Sequence, residues 1–190
     1  MIYGFKGFKS DRTTHFGDCL EEGKTYSVEG PLKIGFGNDG EGNGYHMCER
    51  IADVFRFFQG ENVVVATVEG SDENIEFEDR YWGNSGMHVC RSIKVIKYLS
   101  REEILDEMFK STSYENEKFL MTYKLTDAET DDYINHCRGS HRLLGDVMYY
   151  QKGDKEFFNK PYDDQKRIIS DELNRIDAKK GKAKVIEMKY

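Results

Sequence analysis

Apolar and polar residues alternate from the start of the chain. The stretch Ile2-Tyr3-Gly4-Phe5-Lys6-Gly7-Phe8 reads as a strand that runs into the polar turn at Ser10–Thr14. EEGKTYSVEGPLKIGF predicts two short strands on either side of the turn dipeptide Gly30-Pro31. GFGNDGEGNG, residues 35–44, holds five glycines in ten residues and predicts a loop, because ordering so many glycines in an element costs too much entropy. After the short strand YHMC, the residues Ile51, Val54, Phe55 and Phe58 recur at the spacing of one helix face. ENVVVATVEG has the valine content of a buried strand. In SIKVIKYL strict alternation puts Ile93, Val95 and Lys97 on one side and Ile96 and Tyr98 on the other. Ser100 and Glu103 form a capping box that opens a helix through REEILDEMF.

Beyond residue 110 the pattern changes. NEKFLMTYKL predicts a strand. Thr126 and Glu129 cap a helix that should end with Gly139 as its left-handed C-terminal glycine, and SHRLLGDVMYYQKGD predicts a short helix. Pro161 stands where a helix can start, with Tyr162, Ile169, Leu173 and Ile176 near one stripe. The alternation in AKVIEMKY predicts a closing strand that returns to a sheet. The expected class is α+β: a mixed or antiparallel sheet with helices mainly on one side, plus a more helical C-terminal part. The expected division is a domain at 1–110 and an extension at 111–190.

Composition sharpens this picture in two places. Of the 190 residues 13% are aromatic, enough for a sizeable core, and no apolar run is long enough to span a membrane. With four cysteines and no signal-peptide pattern, the expectation is a cytoplasmic protein with reduced thiols, and no membrane partner. The formal charge of −7 lies entirely in residues 1–110, where 20 acids oppose 13 bases. Its densest part is EGSDENIEFED, with Glu69, Asp72, Glu73, Glu76, Glu78 and Asp79 and no base. Such a run repels phosphate and attracts cationic surfaces, so it reads as an acidic binding surface; the plainer reading is a hairpin edge protected by its charge. The opposite end is basic, and Lys179, Lys180, Lys182 and Lys184 are candidates for nucleic-acid contact, against the plainer reading of a lysine-rich helix end.

The candidate chemistry sits in a repeated pattern. Gly44, His46 and Cys48 stand at alternate positions, as do Gly86, His88 and Cys90. Residues two apart on a strand share a face, so if the two strands paired, His46, Cys48, His88 and Cys90 would supply a tetrahedral zinc set. Packed core residues are the competing reading, since no C-x₂₋₄-C knuckle occurs and free cysteine behaves as a small hydrophobe. A Cys–His nucleophile with Asp53 or Glu49 as the orienting acid is a third. The glycine-rich segment lacks both the G-K-[ST] ending and the G-x-G-x-x-G spacing of a phosphate loop, and no cofactor is expected.

Lys6-Gly7-Phe8, Gly23-Lys24-Thr25-Tyr26, Gly30-Pro31-Leu32-Lys33, Gly44-Tyr45-His46-Met47-Cys48 and the closing S-x-x-E-I occur in an order that resembles a domain-of-unknown-function family of phage and prophage genomes, over about residues 1–110. That resemblance implies provenance in a mobile genetic element and carries no catalytic residue. The element order also resembles ADP-ribosyltransferases, with Phe5-Lys6-Gly7 at the place of an aromatic-Arg-Gly; lysine replaces the arginine, and no E-x-E or Q-x-E setting follows. The expectation is therefore a phage accessory protein without catalytic residues that acts by binding. Its partner would be a host protein with a basic nucleic-acid channel, such as a CRISPR effector, met through the acidic surface. A His/Cys-based enzyme, zinc-dependent or transferase-like, is the alternative.

Overall fold

The computed structural model describes residues 1–35, 42–58, 63–79, 83–110 and 116–187; side chains at 78, 79, 83–85 and 182–187 lie outside the description. Most of the glycine-rich segment therefore falls outside the described residues. The chain packs as two compact units, Met1–Ser111 and Thr112–Tyr190. The fold is α+β.

The first unit is built on one seven-stranded sheet. Its strands are β1 (Ile2–Phe8), β2 (Thr25–Ser27), β3 (Tyr45–Cys48), β4 (Val64–Gly70), β5 (Asn74–Asp79), β6 (Gly83–Cys90) and β7 (Ser92–Tyr98), in the order β2-β7-β4-β1-β3-β6-β5 with antiparallel ladders throughout. Around Gly30-Pro31 only β2 forms of the two expected strands; Lys33 instead makes an isolated bridge to Asn43. Helices α1 (Ile51–Phe57) and α2 (Arg101–Lys110) follow β3 and β7.

One sheet face holds a cluster of Phe8, Met47, Ala66, Val68, Cys90, Ile93 and Val95, closed by Leu20 from the β1–β2 connection. Tyr98 anchors that connection by donating its hydroxyl to the Leu20 carbonyl at 2.5 Å. Burying these side chains is worth about 1.5–3 kcal/mol for each large one, which is why the face stays together. The strict alternation expected in β7 fails at one residue. The register slips between Thr67 and Val68, where Thr67 opposes Lys97 and Val68 opposes Val95, so Ile96 is the extra residue of a bulge. Tyr98 thereby joins Ile93 and Val95 on the core face, and Ile96 is exposed. Against the other face lies α1, whose Val54, with the neighbouring Phe58, packs directly on Gly7.

The second unit is helical: α3 (Glu117–Thr122), α4 (Asp127–His136), α5 (His141–Tyr150), a 3-10 turn at Phe157–Asn159 and α6 (Tyr162–Glu187). Two expected strands are helices here. Phe119, Leu120 and Tyr123 are buried at helical spacing, and a short apolar run does not reveal its period by composition. The AKVIE segment continues α6 past Gly181, since one glycine costs a helix only about 1 kcal/mol and no proline interrupts it. The box at Thr126 is formed: Glu129 N donates to Thr126 Oγ at 3.3 Å and Thr126 N to Glu129 Oε2 at 2.7 Å. Gly139 does not take the left-handed role; α4 is capped by Cys137, whose N–H reaches the Tyr133 carbonyl. Ile169 and Ile176 carry the buried stripe of α6, whereas Tyr162 is 58% exposed and stands off it.

Candidate functional site

The paired G-x-H-x-C segments become neighbours. β3 and β6 pair antiparallel, but in the register Tyr45↔Cys90, His46↔Val89, Met47↔His88 and Cys48↔Met87. Side chains directly opposite each other share a face, and a register offset of one residue reverses the face. His46 and Cys48 therefore point to one side of the sheet with Met87 and Val89, and His88 and Cys90 to the other with Met47 and Tyr45. The four cannot enclose one ion, which corrects the tetrahedral expectation. Among the described residues no group of three or more His, Cys, Asp or Glu side chains is arranged to hold a metal.

Each half has its own chemistry. Cys48 is buried, and burial pushes its thiol up to about 12. Burial also raises Cys90 to about 11 and lowers His46 to about 4. A thiol that high carries almost no thiolate near neutrality, so Cys48 and neutral His46 do not form an activated nucleophile. Asp53 is no orienter for them: it is fully buried and accepts from Arg50 Nε at 3.0 Å, with Arg56 Nε at 3.2 Å.

Glu49, the other candidate orienter, serves His88. Its Oε1 lies 2.9 Å from His88 Nε2, while His88 Nδ1 lies 3.1 Å from Asn74 Oδ1. The Asn74 amide is oriented by donating Nδ2 to the Asp72 carbonyl at 2.8 Å. His88 is only 4% exposed, so this chain of contacts ties the end of β3 through β6 to β5 and offers no open face to a substrate. The glycines of the repeat now have separate reasons. A Cβ at Gly86 would fall 2.3 Å from the Glu49 carboxyl carbon, so glycine is what lets Glu49 reach His88. Gly44 has φ +130, and a Cβ there would meet Val89.

Lys6 has more chemistry than the sequence signalled. It is 9% exposed, and its Nζ donates to the His46 carbonyl at 2.8 Å. Burial lowers its ammonium to about 8. β1 and β3 are registered at Phe5↔Cys48, and beyond that pair the lysine fills the place of a ladder partner for His46. The sequence marks it as the lone lysine of an apolar strand and as the residue in the place of the transferase arginine, and neither signal showed that it is buried against a main-chain carbonyl.

The acidic candidates are partly neutralised by their surroundings. Glu69 sits on β4 opposite Tyr3 and Lys94. Asp72 accepts from the amino group of Met1, and Glu73 pairs with Arg91 Nη2 at 2.6 Å. Glu76 is exposed on β5, the last strand of the sheet, and the side chains of Glu78 and Asp79 lie outside the described residues. The sequence run thus maps to the β4–β5 turn and an edge strand. Of the basic candidates, Lys179 is held by Asp131 at 2.9 Å within a network that also contains Arg175, Glu172 and Lys152. Lys180 is exposed; Lys182 and Lys184 have no described side chains. No described helix is long and apolar enough to cross a membrane. No protein-family model, curated protein or solved structure matches the chain.

Proposed function

We propose that this chain is a phage- or prophage-encoded accessory protein that works by binding a macromolecule: an inhibitor of a host defence nuclease, engaged through its acidic hairpin. The observation that carries this reading is the placement of Glu76 on the exposed edge strand β5, with exposed Asp72 and Glu73 in the turn before it. A cationic channel built to hold phosphates is the complementary surface, and exposed acids at the end of the sheet compete for the same lysines and arginines. The phage resemblance supplies the setting, and the raised thiol pKa values of Cys48 and Cys90 weigh against a His/Cys nucleophile at those two positions.

The test uses cells carrying an active CRISPR effector and a targeted plasmid. Expression of the chain should protect the plasmid, and Glu76→Lys with Asp72→Lys should abolish protection at equal protein level. Binding to the purified effector should weaken steeply with added salt, since surface charge pairs are screened over about 10 Å at 0.1 M. Protection that survives both charge reversals would refute the acidic-hairpin reading.

A further inference from the structure

The ladder parity of the β3-β6-β5 region identifies which main-chain groups of β5 are turned away from β6. Arg91 N donates to the Glu73 carbonyl at 2.9 Å, so Glu73 and Arg91 are a hydrogen-bonded pair in the register that continues through Asn74↔Cys90, Ile75↔Val89 and Glu76↔His88. Hydrogen-bonded and non-bonded pairs alternate along an antiparallel ladder. Ile75 therefore bonds to β6, while the N–H and C=O of Asn74 and Glu76 point away from it. The other side of β6 agrees: Glu49 N donates to the Gly86 carbonyl at 2.8 Å, which assigns the even-numbered residues of β6 to β3 and leaves the odd ones to β5. Neither Asn74 nor Glu76 has another main-chain partner among the described residues.

From this geometry we infer that β5 accepts an extended basic segment of the partner protein as an added antiparallel or parallel strand, with the Asn74 and Glu76 main chains as its hydrogen-bonding rungs. The inference rests on the binding function proposed above and names its mode. Strand addition draws affinity from main-chain hydrogen bonds and specificity from alternate side chains. Here the alternation is visible: Glu76 stands on one face of β5, and Ile75 and Phe77, both half-buried, stand on the other. The matching segment has basic residues at every second position and apolar ones between. A second copy of this chain is the wrong occupant, because edge-to-edge pairing would bring Glu76 and its acidic neighbours against themselves, and like charges facing across a ladder are destabilising. Nucleic acid is excluded by the same sign.

The experiment titrates the full chain with an acetylated, amidated peptide of alternating lysine and valine and follows backbone amides by NMR and hydrogen exchange. The expected result is exchange slowed about tenfold or more at the amides of Asn74 and Glu76, with Ile75 unchanged because its amide is already bonded. Glu76→Pro removes one rung without touching the β6 ladder and should weaken the peptide about tenfold, whereas Glu76→Gln keeps the rung and chiefly reduces the salt dependence. Peptide binding that leaves both amides unprotected and persists in Glu76→Pro overturns strand addition, while the acidic-hairpin function stands if charge reversal still abolishes plasmid protection. Absence of peptide binding also overturns it. Loss of both peptide binding and plasmid protection for the wild-type chain removes the function as well. If Glu76→Pro fails to fold, the wild-type exchange pattern at Asn74 and Glu76 decides alone.

Discussion

Asp146 is a carboxylate in the wrong place for its charge, and replacing it should make the protein more stable. It is fully buried on α5, and its contact with Arg142 Nε is long at 3.3 Å, from a side chain that is mostly exposed. Burial is the main cause that pushes its carboxyl up from 3.8 to about 6, and nearby Glu117 adds to it. That gap corresponds to about 3 kcal/mol of penalty on the charged form. The native state keeps its proton up to about pH 6, while the unfolded chain begins to release it near pH 4. Stability contributed at this site is therefore lost as pH rises from 4 to 6 and stays lost above. Asp146→Asn has no proton to lose. It should raise the unfolding free energy by about 3 kcal/mol at pH 8, by about half of that at pH 5, and by well under about 1 kcal/mol near pH 4. Urea titrations followed by helical circular dichroism, comparing the two proteins at those three pH values, measure the difference directly. A difference that does not change with pH would refute the burial argument. An Asp146→Asn variant that is less stable than the wild-type chain at pH 8 would show instead that the Arg142 pair outweighs desolvation.

Three further outcomes follow from the same kind of reasoning. Gly86→Ala should cost about 1–3 kcal/mol, because the added methyl displaces the Glu49 carboxylate and strips the buried His88 Nε2 of its partner; a thermal melt unchanged within a degree would show that Glu49 is not held there. Cys48, Cys90 and Cys137 are buried with thiols raised to about 12, 11 and 11, whereas Cys19 is exposed. An aromatic disulfide reagent at neutral pH should therefore titrate one thiol quickly in the native protein and all four in denaturant; two fast thiols would contradict the packing. Thr126→Ala breaks the capping box of α4 and should lower stability by about 1 kcal/mol in urea denaturation, with Thr126→Ser restoring it.

Local rules were legible wherever a residue's neighbours in sequence were also its neighbours in space. The helix at Ile51–Phe57, the valine strand β4 and the boxes at Ser100 and Thr126 depend on contacts a few residues apart, so spacing and capping chemistry determine them. The α+β class followed from the same signals. Where two periods fit one short apolar run, as in EKFLMT, only packing against the rest of the helical unit chose between them. The His/Cys pattern had the same limit. Its sequence placed each His and Cys on one face of its own strand, but the sign of that face relative to the other strand is a register, set by long-range packing of Met47, Cys90 and their neighbours. One residue of register decides between a metal set and two separate faces. The tertiary structure made that choice, as it chose the bulge that turns Tyr98 inward and the place at the end of the sheet that leaves Glu76 exposed.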